Sequence, residues 1–271
     1  MTSSSSTLPQ IQNDPIYPYP FLYISGMNLS AAGLAGIPAQ TVVIAPGQCR
    51  DSNDIIDIMV GNPTIHTNPQ PLYLNATVNG LNGLDQGVIQ ASTSYAMYVL
   101  ADSRGYNSTG GLISLISTIP LIPHGYDSIR LLGFCTTTAG SLFVNANFRN
   151  MAYAKQYFLQ PAVSVLASGS ATTFTNINLS SVVPANPFSI VTLNVIFTPA
   201  LAGDTVMFRP AASIQTTDLV TVTGLQAGIP QVSVVNVVVD IVGGFSQIQY
   251  AVSNAADVVS VSVFGNTFTL S

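Results

Sequence analysis

The chain has 271 residues, of which 48% are hydrophobic and only 6% charged, with a formal net charge of -5. Average soluble proteins carry roughly 25% charged residues; the six positive charges here cannot form a basic stripe, which excludes a nucleic-acid partner. No apolar run of about 18 residues escapes interruption by Pro, Gly or polar residues, so no membrane span is expected.

Residues 1–20 read as an extended arm ending in "PIYPYP". Alternating prolines favour an extended backbone, and Pro15, Tyr17, Tyr19 and Pro20 are the residues expected to press onto a partner. The first fifteen residues hold neither a basic residue nor an apolar run. They are therefore not expected to act as a secretory signal. Production in a reducing cytoplasm follows, with Cys49 and Cys135 expected to be free and buried, although the two could pair.

Strand candidates follow in residues 21–153: "FLYISGMNLS", "QTVVIAP", "DIIDIMV", "PLYLNATV", "YAMYVLAD", "GGLISLIST", "SIRLLGFCTT" and "SLFVNANF". Several alternate polar and apolar residues with period two, as half-buried strands do. Turn signals such as "NGLNG", "SRGYNSTGG" and "PHGYD" separate them. "NMAYAKQYFLQPAV" reads as a link into a second unit, residues 154–271. That unit offers "TTFTNINL", "FSIVTLNVIFT", "DTVMFRPA", "LVTVTGL", "QVSVVNVVVDIV", "QIQYAVS" and "VVSVSVFGNTFTL". The valine run is apolar enough to predict a central strand buried on both faces.

Glu is absent and Lys155 is the single lysine. Both types are good helix formers, and Val, Ile, Thr, Ser, Asn and Gly stand in their place. The expected fold is all-β: two β-sandwich, jelly-roll-like domains behind the arm. So few charges leave little to keep a monomer soluble, which points to an oligomer or larger assembly.

Three stretches in order carry a resemblance: "YISGMNLS…IAPGQCRDSNDIIDI", "NGLNGLDQGVIQASTSYAMYVLADS" and "LISLISTIPLIPHGYDSIRLLGFCTTTAGSLF". They resemble a structural module common in tailed bacteriophages and prophages. In that family a Gly-x-x-Leu-Ser opening strand is followed by an Ala-Gly-x-Cys-Arg-Asp-Ser turn. A Gly-Leu-Asp-x-Gly turn then precedes an aromatic strand, and a Pro-x-Gly-Tyr turn precedes an Arg-containing strand. The matching positions are Gly26 to Ser30, Pro46 to Ser52, Gly83 to Gly87 and Pro123 to Gly133. Pro46 departs from the usual Ala, and Leu131 stands where a second Arg is expected. The C-terminal unit is similar to a phage β-domain through "ATTFTNINLSSVVP", "VMFRP" and "IQYAVS". The resemblance implies a virion protein of the head-decoration, head-fibre, tail-fibre or tailspike kind, trimeric and without catalysis of its own.

The residues themselves offer little chemistry. "GQCRDSNDIIDI", Gly47 to Ile58, concentrates Arg50, Asp51, Asp54 and Asp57. With Asn53, these Asp residues could supply oxygens to calcium, but the spacing lacks the Gly and Glu of an EF-hand loop. The alternative is a turn in which Asp51 or Ser52 caps backbone N–H groups and Arg50 pairs with a nearby Asp. His66 and His124 are the only histidines, and a zinc site would need them to converge with both cysteines. No Gly-x-Ser-x-Gly elbow marks a nucleophile. Without Glu, a glycosidase would depend on Asp pairs, and Asp85 in "GLDQG" reads as turn chemistry. Tyr and Phe number twenty-three and Trp is absent, which reads as core packing before a sugar platform.

Arg130 and Arg209 interrupt apolar strands and are candidate charges at a subunit interface; the alternative is an intrachain pair with Asp. The expected protein is non-enzymatic and uses no cofactor or metal. It assembles as a homotrimer, docks on a major capsid protein or another virion protein through its arm, and resides in the virion after synthesis in the bacterial host cytoplasm. Two rivals are a receptor-binding tail protein contacting a host glycan and a polysaccharide depolymerase.

Overall fold

The computed structural model describes residues 23–31, 38–61, 69–116, 119–144, 146–150, 155–184, 189–214 and 219–268. Pro15, Tyr17, Tyr19, Pro20 and His66 lie outside the described residues. The protein is all-β, of the sandwich class, and no helix occurs among the described residues.

The first half contributes β1 (Ile24–Gly26), β2 (Leu29–Ala31), β3 (Thr41–Ile44), β4 (Gly47–Arg50), β5 (Asp57–Val60), β6 (Leu72–Asn75), β7 (Gly83–Leu84), β8 (Ser94–Ala101), β9 (Gly110–Leu115), β10 (Ser128–Thr136) and β11 (Ala146–Asn150). The second half contributes β12 (Lys155–Gly169), β13 (Thr175–Asn178), β14 (Ser189–Thr198), β15 (Thr205–Pro210), β16 (Val220–Thr223), β17 (Gln231–Val242), β18 (Phe245–Val252) and β19 (Val258–Phe268). One sheet orders β1-β4-β5, and another orders β10-β8-β9-β7. The largest runs β16-β15-β18-β17-β14-β19-β12-β11-β2-β3-β6, with β13 joined to β18. Among the described residues, the pairings between strands are antiparallel except β7 with β9.

The predicted opening strand is two short strands. Gly26 and Met27 adopt positive φ and turn the chain between β1 and β2. A side chain on Gly26 would meet the Pro46 carbonyl oxygen at 2.5 Å, and one on Gly47 would meet Met27 N and Ser25 O at 2.4 Å. The two glycines are cross-strand partners in the β1–β4 ladder. Only residues without Cβ allow the backbones to approach this closely, so the two separate glycine motifs serve one contact.

Two expectations are corrected. "NMAYAKQYFLQPAV" is no link: from Lys155 onward it is β12, a long strand between β11 and β19. Pro161 has no N–H to donate, and it falls where β12 slips register between Phe158 and Val163, the place where a sheet tolerates proline. The second correction concerns β17, which is not buried on both faces. Val237 and Val239 are buried, whereas Val232 and Val234 are each 67% exposed. The strand is half-buried with period two; valine merely occupies both faces.

The core explains the arrangement. In β14, Val191, Leu193, Val195 and Phe197 point inward and are fully buried, each contributing about 1.5–3 kcal/mol of burial. They meet Val237 of β17 and Val259, Val261 and Val263 of β19 in one hydrophobic cluster. That cluster continues through Leu159 to Leu29, Val42, Ile44 and Leu74. A small satellite forms around Ala96 and Phe134.

Candidate functional site

The charged turn 50–57 is built around Asp51, which is buried. Its Oδ1 accepts hydrogen bonds from Ile55 N at 2.7 Å and Ile56 N at 3.0 Å. Its own N–H donates to Ile56 O at 2.9 Å, and Asp54 N donates to Asp51 O at 3.1 Å. Ser52 N donates to Ile129 O at 2.8 Å, tying the turn to β10. Arg50 Nε lies 3.1 Å from Asp54 Oδ1, and Arg50 Nη1 lies 3.5 Å from Asp57 Oδ1. The guanidinium thus stands between the two carboxylates that a cation would bridge. Burial pushes the Asp57 carboxyl above its ordinary value, against the pull of Arg50. Among the described residues, no group of three or more His, Cys or Asp side chains converges as a metal site needs.

The remaining acids behave alike. Asp85 is buried, where Oδ2 accepts from Ser114 Oγ at 2.7 Å and Leu121 N at 3.3 Å, and Oδ1 accepts from Gln86 N at 2.8 Å. Asp102 Oδ1 accepts from Arg104 N and Nε, each at 3.0 Å, and its Oδ2 accepts from Asn107 Nδ2 at 2.8 Å. Burial acts to raise the Asp102 carboxyl, yet these Arg104 and Asn107 bonds together hold it below its ordinary value. Hydrogen bonds from Ser103 hold Asp127 low as well, against a smaller push from burial. His124 is exposed in its turn. Cys49 and Cys135 are buried free thiols, and burial drives the Cys135 thiol far above its ordinary value.

The two arginines occupy different settings. Arg130 is only 6% exposed, inside β10 opposite Val99 of β8. Arg209 is half-buried on β15, its guanidinium 3.8 Å from the centre of the Phe174 ring. Its Nε donates to Gln249 Oε1 at 2.8 Å, and Gln249 Nε2 donates to Asn176 Oδ1 at 2.8 Å. A polar ladder thus crosses β15, β18 and β13.

The feature that sequence reasoning missed is the outward face of β17, β14 and β19. Cross-strand pairing sets Val238 beside Ile190, Asn236 beside Thr192, Val234 beside Asn194, and Val232 beside Ile196. β19 adds Ser262 and Ser260 to the last two rows. Phe264 rises exposed near the bulge where β19 slips against Thr192 and Leu193, and meets Phe158 edge-on at 5.9 Å. Thr192 Oγ1 donates to Asn236 Oδ1 at 2.8 Å. Across these three strands Asp240 is the only charged residue, and its Oδ2 accepts from Ala212 N at 2.7 Å. The valines at even positions of β17 carried the signal, but hydrophobicity on both parities concealed which of them faced out.

No family model matches the chain, and no curated protein matches it. Among solved structures, the chain is similar to the isomalto-dextranase of Arthrobacter globiformis T6 complexed with panose, at 16% identity over 66% of this chain, with a TM-score of 0.19. It spans only 30% of the length of that enzyme chain. It is also similar to the T13 IBDV viral particle, at 13% identity over 89% of this chain and 67% of that one, with a TM-score of 0.23. A third similarity is to the infectious bursal virus derived T=1 particle, at 11% identity over 93% of this chain and 70% of that one, with a TM-score of 0.18. TM-scores this low do not establish a shared fold.

Proposed function

We propose that this chain is a non-enzymatic structural protein of a bacteriophage virion, a capsid decoration or head-fibre protein that works by assembling. Residues 21–153 and 154–271 form its two sandwich units, and copies associate around a threefold axis. The arm, through Pro15, Tyr17, Tyr19 and Pro20, docks onto the major capsid protein or another virion protein.

The observation that carries this reading is a surface nearly devoid of ionic groups on which large apolar side chains stand exposed. Val232 and Val234 do so on a strand, and Val88 and Tyr106 in connecting segments. A protein that diffuses alone keeps apolar patches small and separates them with charge. A component of a shell meets water over only part of its surface. The ordered motifs from Gly26 to Gly133 point to the same class of protein.

The test is a particle made without this protein. Such particles are expected to package DNA normally and to lose tolerance to salt or mechanical stress. If deletion instead abolishes adsorption and leaves the heads unchanged, the decoration reading fails. Adsorption blocked by excess purified protein would then support the receptor-binding alternative.

A further inference from the structure

Resting on the reading above that this chain works by assembling, we infer that the outward face of β17, β14 and β19 is buried against the same face of a second copy of this chain across a twofold axis, a contact distinct from the threefold one. Val232, Val234, Val238, Ile190, Ile196 and Phe264 supply its apolar surface.

Three properties of the face select a second copy as its occupant. The first is charge. An interface that meets its own kind sets like residues near like, so any net charge there repels its counterpart. β14 and β19 carry no charged residue, and the one on β17, Asp240, sits near the strand's end with its carboxylate already accepting from Ala212 N. A partner of strong charge would find nothing to pair with.

The second property is the character of the polar residues. Those set among the aliphatic ones are Thr192, Asn194, Asn236, Ser260 and Ser262. Hydroxyls and amides donate and accept at once, so each can pair with its own kind across a symmetric contact. Asp or Lys cannot do so.

The third is area. Three strands about 4.8 Å apart, each presenting about ten residues at about 3.4 Å rise, span roughly 490 Å². Two copies then bury on the order of 1,000 Å², about the size that a specific interface must reach. A twisted sheet face of this width also matches a second sheet face packed about 10 Å away, which the shallow relief of Val, Ile, Thr and Ser permits.

The experiment is sedimentation velocity on the full chain at micromolar concentration, for the wild type and for Val234→Arg, Val234→Asp and Ile119→Arg. The wild type is expected to sediment as an oligomer. Val234→Arg is expected to weaken self-association by on the order of 100-fold or more, because it brings like charges together. Its far-ultraviolet strand signal should not change, since Val234 is exposed. Ile119 is exposed in the segment between β9 and β10, so Ile119→Arg should sediment as the wild type does. The decisive arm mixes Val234→Arg with Val234→Asp: each alone dissociates, and the mixture re-associates because opposite charges now face each other.

A wild type that sediments as a monomer overturns both this assignment and the assembly reading beneath it. A wild-type oligomer that Val234→Arg leaves intact overturns the assignment of the face alone. Dissociation of both variants without recovery on mixing shows that the face meets something other than itself, and overturns the second copy as its occupant.

Discussion

Replacing Asp51 by Ala is the most direct way to ask what the charged turn does. The carboxylate oxygen Oδ1 satisfies two backbone donors, Ile55 N and Ile56 N. Truncation leaves the Ile56 N–H buried without an acceptor, a loss of about 1–3 kcal/mol. The Ile55 N–H lies nearer the surface, where water can replace the lost acceptor, so its loss is smaller. Together they amount to about 3 kcal/mol. Asp51→Asn keeps an oxygen at the same place and loses only the charge assistance, which is about 1 kcal/mol. With a urea slope of about 3 kcal/mol/M, the midpoint should fall by about 1 M for Asp51→Ala and by about a third of that for Asp51→Asn, with the slope unchanged.

The same measurement separates a cap from a calcium site. Arg50 already stands between Asp54 and Asp57, so millimolar calcium chloride should leave the wild-type midpoint where it is. Two results would refute the reasoning. One is an Asp51→Ala midpoint within 0.2 M of wild type, a shift of about 0.6 kcal/mol at that slope. The other is a calcium-induced rise in the wild type that the variant lacks, which would make the carboxylates ligands.

Further predictions rest on separate observations. Gly47→Ala should prevent accumulation of folded protein, because its Cβ would collide with Met27 N and Ser25 O; soluble yield and near-ultraviolet circular dichroism report it. Adjacent residues of β14 should differ sharply: Leu193→Ala should cost about 2–5 kcal/mol in urea unfolding, and Asn194→Ala less than about 0.5 kcal/mol, because Leu193 is buried and Asn194 faces out. The Cys135 thiol, buried and with its ionisation suppressed, should resist iodoacetamide in the native protein and react fully in denaturant, as mass spectrometry would show. Asp102 and Asp127 are held below their ordinary value, so the unfolded chain binds more protons there and their contribution is lost as pH falls below about 4. Asp57 is raised and works in the opposite sense, costing stability as pH climbs through its folded value. Asp127→Asn should therefore flatten the acid limb of a stability–pH curve.

The strands were legible in the sequence where inward and outward positions alternate, as in "SIVTLNVIFT", or where a short run rich in β-branched or aromatic residues is ended by a turn residue, as in "TVVI" and "SYAMYVLA". β12 was concealed by Lys155, Gln156, Gln160 and Pro161, which read as a connection. Its bulges accommodate the proline without a break, and a bulge leaves no periodic mark. β17 failed differently. When valine fills both faces, hydrophobicity says that the strand exists and says nothing about which face the core claims. That choice is made by its partner, since β14 turns Val191, Leu193, Val195 and Phe197 inward and the register then fixes Val235 and Val237 beside them. The contact of Arg209 with Phe174 was equally hidden, because it joins residues far apart in sequence through a ladder of three strands.

The absence of Glu follows from how the acids are used. Asp51, Asp85, Asp102 and Asp257 are buried, and each accepts at least one backbone N–H: from Ile55 and Ile56, from Gln86 and Leu121, from Arg104, and from Ala200 and Asn254. Asp204 likewise accepts from Leu201 in its own turn, whereas Asp127 and Asp240 accept from Ser103 and Ala212, remote in sequence. An Asp side chain is short enough to reach the backbone of its own turn, which is why Asp, with Asn and Ser, punctuates strands. Glu carries one more methylene and is suited to helix surfaces instead. A chain of strands and turns in which carboxylates serve as backbone acceptors therefore selects Asp alone. In the four buried residues the same use withdraws the charge from solvent contact, so more of the task of keeping the molecule hydrated passes to Ser, Thr and Asn. Where these are interleaved with valine and isoleucine, as on β17 and β14, large apolar side chains stand exposed, and covering them would release water from apolar surface.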